Sequence, residues 1–239
     1  SRIALVACGA SFVVALILAV ARLAGSLPDR VLLGRWLTSG DYRVDLVFAT
    51  DGLSLALAAL AALLCLFVAR FAVNYMHREA GFHRLFMVLS LFTAAILLLV
   101  MGGNAVLTFV GWEIAGLCSY LLISFFQDRP VAAGNATRVF VTNRVGDAGF
   151  LLGIALSFRW LGSTDWVAIA AGATGLNSIQ TGILAGCFLL AAIAKSAQVP
   201  LAPWLARAME GPTPSSALFY GAVMVHAGVY LVLRLEPLF

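Results

Sequence analysis

The chain has 239 residues, 62% of them hydrophobic and 11% charged, with a formal net charge of +4 at pH 7; a soluble domain carries about 25% charged residues. Its mean hydropathy is +1.01, and apolar runs of the about 20 residues needed to cross a ~30 Å hydrocarbon core recur along almost its whole length. These features predict one polytopic unit embedded in a lipid bilayer, with no room for a separate soluble domain. Because its 14 Arg and single Lys are scattered among 11 acids, no nucleic-acid partner and no anionic-lipid patch is indicated.

The first apolar run, about 3–24, is too long for the 7–15-residue core of a signal peptide and lacks a clear small-residue cleavage site, so it is expected to span. The chain starts at Ser1 rather than Met and stops at Phe239 just after an apolar run, the expectation for a partial or trimmed chain. The one long polar connection, Gly25 to Thr50, holds Pro28, Gly34, Gly40, three Asp and three Arg, and the alternation in "YRVDLVF" predicts a short strand pair on the membrane surface. Six more spans follow at about 53–75, 85–101, 104–126, 134–161, 178–209 and 214–234. Seven spans place the termini on opposite sides. Arg70, Arg78, Arg84, Arg129 and Arg207 flank one side and Arg22, Arg30, Arg35, Arg43, Arg159 and Arg234 the other, so loop charge leaves the orientation open. Cys8, Cys65, Cys118 and Cys187 sit in apolar runs without C-x-x-C spacing or a paired His, and read as buried hydrophobes rather than a disulfide or metal framework. No cofactor and no metal is expected.

The sixth segment is too long to be straight: 32 residues at 1.5 Å each make ~48 Å. Pro200 and Pro203, in "AKSAQVPLAPWLARAM", lack backbone N–H groups, and Pro200 disfavours helical geometry at Val199, so one discontinuous helix is expected, interrupted near Gln198 to Pro203. Broken helices at membrane depth survive where protein or water satisfies the freed carbonyls, and in transporters they mark ion sites.

Lys195, the single lysine, lies just before that break. Glu113 sits in the middle of "GWEIAGLCSYLLI", near the bilayer midplane, where an ionised side chain costs roughly 2.5–3.5 kcal/mol. An ion-path carboxylate explains that cost better than a merely hydrogen-bonded structural glutamate, and Lys195 is its natural opposite charge. At a separation of about 7 Å and an effective dielectric near 20, the two would couple by roughly 2.4 kcal/mol. In "TRVFVTNRVGDAGF", Arg144 and Asp147 are three apart and share a helix face, able to neutralise each other; a structural ion pair is the alternative. Tyr220 and His226 lie on the last segment ~240° apart around the helix, and a proton-relay role for the histidine stays open beside that of a satisfied interior donor.

"TDGLS" (50–54), "FVGWEIAGLCSYLLI" (109–123), "NRVGDAGFLLG" (143–153), "AKSAQVPL" (194–201) and "AMEGPTPSSAL" (208–218) together resemble the antiporter-like, proton-translocating subunits of respiratory complex I, nearest to its large distal subunit, called L or chain 5. That family extends to Mrp cation/proton antiporters, membrane-bound hydrogenases and inorganic-carbon uptake systems. The resemblance implies an all-α, polytopic membrane helix bundle, with residues 1–84 as N-terminal transmembrane helices and surface loop and 85–239 as a five-helix repeat of an inverted-repeat fold. It implies a subunit of an NADH:quinone oxidoreductase-like translocase, with no catalytic redox site in this chain. Protons would pass along Glu113, Lys195, Arg144 and Asp147, driven by partner subunits in a multi-pass assembly of a bacterial inner membrane. Two departures stand out. The family's "LPDAM" is "LARAM" here, with Ala206 and Arg207, and its "SALIHAATMVTAG" is "SALFYGAVMVHAG". Tyr220 thus stands where a relay histidine is usual, and His226 where Thr is usual. These departures keep a divergent relative, such as a carbon-uptake subunit, open beside complex I, and predict a proton path rerouted through His226 if that side chain faces the bundle interior.

Overall fold

The computed structural model describes residues 1–40, 42–219 and 223–239. The helices are α1 (Arg2–Leu23), α2 (Gly52–Tyr75), α3 (Phe82–Met101), α4 (Ala105–Ile123), α5 (Pro130–Leu161), α6 (Trp166–Gly172), α7 (Ser178–Lys195), α8 (Pro203–Arg207), α9 (Thr213–Ala217) and α10 (Met224–Arg234), with a hairpin of β1 (Arg30–Ser39) and β2 (Tyr42–Ala49) between α1 and α2. Among the described residues, the 6 helices α1 to α5 and α7 are long and apolar enough to cross a membrane. The chain is a multi-pass membrane helix bundle.

Helix starts follow from capping chemistry, because the first N–H groups of a helix have no intrahelical acceptor. Asp51 accepts from the N–H of Ser54 at 2.9 Å, Asn104 from that of Leu107 at 2.9 Å, and Asn177 forms a reciprocal capping box with Gln180. Pro130 occupies the first turn of α5, where its missing N–H costs nothing. At the other end of α5, Gly162 takes a φ of 68°, the left-handed C-terminal geometry that glycine accepts without a Cβ penalty.

In lipid the apolar effect does not hold helices to one another, and close backbone approach through small residues takes its place. A β-carbon at Gly149 of α5 would lie 2.7 Å from the Cys187 carbonyl oxygen of α7. One at Gly153 would lie 2.9 Å from the Phe188 ring, and one at Gly146 would overlap Ala194 outright. Gly146, Gly149 and Gly153 therefore form one seam that seats α7 on α5. Gly111 does the same for α4 on α3, where a β-carbon would be 2.6 Å from the Ala95 carbonyl oxygen.

Two expectations are corrected and one is met. The strand pair is not short: β1 and β2 run 10 and 8 residues, pinned to the bundle by Gly103 N–H donating to the Val47 carbonyl at 2.8 Å. The interruption expected near Gln198 to Pro203 is present: α7 stops at Lys195, Ala197 takes a φ of 52°, which an α-helix cannot continue through, and the chain resumes as α8 with Pro203 in its first turn. The seventh segment is not one helix over 214–234: α9 ends at Ala217, and Val223 precedes α10 with φ −145°.

Candidate functional site

Glu113 projects from the middle of α4, Arg144 and Asp147 from the middle of α5, and Lys195 from the last residue of α7. The glycine seam brings α5 and α7 close enough for the three helices to share one polar cluster. Arg144 Nη1 is ion-paired with Glu113 Oε2 and lies 3.5 Å from Asp147 Oδ2. The guanidinium thus bridges two carboxylates, and its Cζ also lies over the Phe140 ring, 4.4 Å from the centroid. Glu113 thus pairs directly with Arg144, and its expected coupling to Lys195 is through space.

Lys195 is held differently. Among the described residues no carboxylate oxygen lies within 4.0 Å of its ammonium group. Its Nζ donates to the Trp112 carbonyl at 3.1 Å and sits over the Trp112 ring, 4.9 Å from the centroid. Asp147 and Glu113 attract it through space and Arg144 repels it. Gly116 leaves it room, since a β-carbon there would come within 3.3 Å of Nζ.

Trp112 is the member that the sequence reading missed. It is fully buried, and its indole N–H donates to Asp147 Oδ1 at 2.7 Å. A buried indole N–H in an apolar helix needs an acceptor, and its place beside Glu113 was the signal available. Exposure falls along the set from the bundle surface inward: the side chains of Arg144, Glu113 and Asp147 are 41%, 23% and 9% exposed, and Lys195 is 1% exposed. The cluster therefore grows drier from Arg144 and Glu113 toward Lys195. The second oxygen of Glu113, Oε1, is buried and has no hydrogen-bond donor among the described residues.

An aromatic layer separates this cluster from the hairpin end. Phe150 packs edge-on to Trp112 at 5.2 Å and to Phe188 at 5.4 Å, and Trp166 lies 5.8 Å from Phe188. Beyond Trp166 is a cavity of about 320 Å³ lined by Asp29, Arg30, Asp51 and Arg234. There Arg234 is ion-paired with Asp51 and Arg30 with Asp165, ties that join the end of α10 to the start of α2 and the hairpin to the start of α6. Burial alone would raise the Asp51 carboxyl, but hydrogen bonds from Arg234 and the Ser54 N–H outweigh it and hold the group below its ordinary value.

His226 stands apart from the cluster. It is exposed and lines a narrow apolar crevice with Leu57, Leu60 and Ala61 of α2 and Ile96 and Val100 of α3. Tyr220 lies outside the described residues. Pro200 lies in the turn after α7 and Pro203 opens α8. Among the described residues no group of three or more His, Cys, Asp or Glu could hold a metal ion.

A family model described as NADH:quinone oxidoreductase/Mrp antiporter, TM, matches residues 102–239, and one described as NADH-Ubiquinone oxidoreductase (complex I), chain 5 N-terminus, matches residues 36–86. The NADH-quinone oxidoreductase subunit L of Mycobacterium tuberculosis (strain CDC 1551 / Oshkosh) is 44% identical over 204 residues, 85% of this chain and 32% of that protein. The NAD(P)H-quinone oxidoreductase chain 5 of Synechocystis sp. is 41% identical over 212 residues, 85% of this chain and 31% of that protein. Among solved structures, a chain of the Mrp complex from Dietzia sp. DQ12-45-1b superposes with a TM-score of 0.82 at 26% identity, over 98% of this chain and 28% of that one. The chain spans about a third of the length of the curated relatives it matches.

Proposed function

The chain belongs to the NADH:quinone oxidoreductase/Mrp antiporter family, and from that premise we propose that it is part of a proton-translocating membrane subunit of a complex I-like assembly. In this reading Glu113, Arg144, Asp147 and Lys195 are the charged stations of the path. Partner subunits supply the driving force, and the assembly sits in a bacterial inner membrane. Identities of 41–44% to complex I-type relatives, against 26% to the Mrp chain, support the complex I-like assignment.

The observation that carries the proposal is the unbroken contact chain from Glu113 through Arg144, Asp147 and Trp112 to Lys195. Each ionised member costs several kcal/mol at membrane depth unless paired. A set of four that is only partly paired, with no carboxylate close to Lys195 among the described residues, is poorly suited to a purely structural role. It suits a site whose charge moves: when Glu113 takes a proton on Oε1, Arg144 loses one of its two partners and the field at Lys195 falls.

Glu113→Gln tests this. The carboxamide keeps shape and hydrogen bonding but cannot change charge, so proton flux into vesicles holding the full-length subunit in its complex is expected to fall at least tenfold with assembly intact. A fully assembled Gln variant that moves protons at the wild-type rate would refute the proposal.

A further inference from the structure

Trp112 touches both the acid and the lysine of the cluster, and through different parts of the residue. Its indole N–H donates to Asp147 at 2.7 Å, its main-chain carbonyl accepts from Lys195 at 3.1 Å, and the ring face lies under the Lys195 ammonium group, 4.9 Å away. No direct ion pair joins Asp147 to Lys195, and Trp112 touches both. The ring is locked in place: it is fully buried, packed edge-on against Phe150 at 5.2 Å, on a helix that Gly111 seats tightly against α3.

We propose that Trp112 is a positioning residue that couples Asp147 to Lys195. This rests on the proton-path reading above for its transport consequence, though not for its electrostatics. A cation over an indole face draws electron density from the ring, which makes the N–H a stronger donor, and hydrogen bonds in a low-dielectric site polarise one another. While Lys195 carries its charge, the N–H bond to Asp147 is strong and the acid is held. When Lys195 loses the charge, the donor weakens and Asp147 is freed to exchange its partner for Arg144, 3.5 Å away on its other oxygen. The charge on the lysine thereby sets the hydrogen bonding of the acid without the two groups meeting. A tryptophan serving only to fill space would have no such dependence.

The test uses the full-length subunit in its native complex. Ultraviolet resonance Raman spectra of the wild type, minus those of Trp112→Phe, isolate the Trp112 indole band that reports N–H hydrogen bonding. In Lys195→Met, which removes the cation at similar side-chain length, that band is expected to shift toward a weaker hydrogen bond. An unchanged band overturns the proposal. In parallel, Trp112→Phe keeps an aromatic ring under Lys195 but removes the N–H, and is expected to cut proton flux at least fivefold in assembled complex; flux within twofold of wild type also overturns it. Should Trp112→Phe not assemble, 5-fluorotryptophan and more heavily fluorinated tryptophans at this position weaken the ring face while keeping the N–H. A stepwise fall in flux with fluorination supports coupling, and a flat series overturns it. If the wild-type complex moves no protons, the proton-path reading fails, and the Raman shift still decides the coupling.

Discussion

Gly146→Ala adds one methyl group at the seam that places Lys195. The new β-carbon would overlap the Cβ of Ala194 and lie 3.3 Å from the Ala191 Cα, whereas apolar carbons rest at about 3.5–4.0 Å. Both atoms belong to the rigid body of α7, and neither is the end of a flexible side chain. Relief therefore requires α5 and α7 to separate by about 1 Å or more, in the manner of overpacked cores that cost about 1–3 kcal/mol. Ala194 adjoins Lys195, so its displacement carries Nζ away from the Trp112 carbonyl, now 3.1 Å away, beyond hydrogen-bond reach. A misplacement of about 1 Å at a reacting group costs on the order of 100-fold in rate. The assay is proton flux into vesicles beside a gel measure of assembly. We expect Gly146→Ala to assemble with lowered thermal stability and to lose at least tenfold in flux. Wild-type flux at wild-type stability would show that seam packing does not govern the position of Lys195.

Asp51→Asn removes the ion pair with Arg234 while keeping a good helix cap, and is expected to cost about 1–2 kcal/mol, read as a lowered melting temperature. Because the folded carboxyl is held below its ordinary value near 3.8, its contribution is complete above that pH and is lost as the pH falls through the folded value. Wild-type stability should therefore decline more steeply than that of Asp51→Asn upon acidification below about pH 4; parallel curves would refute the assignment. His226→Ala is expected to keep at least half of the proton flux, since the ring is exposed on an apolar crevice away from the Trp112 cluster. A collapse of flux in that variant would restore the histidine to the path.

The charged cluster was legible because the membrane makes it conspicuous: an ionisable residue inside an apolar run needs a reason, and Glu113, Lys195, Arg144 and Asp147 are few enough to name. Which of them pair was not legible. Spacing along one helix predicted that Arg144 and Asp147 meet, but partners on different helices depend on which faces pack, and the glycines that decide this carry no charge pattern. Trp112 escaped for the same reason, since its role lies in an N–H and a carbonyl that only tertiary placement assigns. The proline pair announced a break, yet the helix ends earlier, at Lys195, because the termination is set by the left-handed Ala197 rather than by the prolines alone. The last segment read as one apolar run because hydropathy does not report the non-helical backbone at Val223.

The central claim is that the charge on Glu113 changes during turnover. Infrared difference spectra of the full-length subunit in its working complex, recorded as the driving reaction is switched on, measure this directly. The account predicts a band of a protonated carboxyl that appears or vanishes with turnover in the wild type and is absent in Glu113→Gln. A turnover spectrum with no carboxyl change, or one whose band persists in the Gln variant, would contradict it.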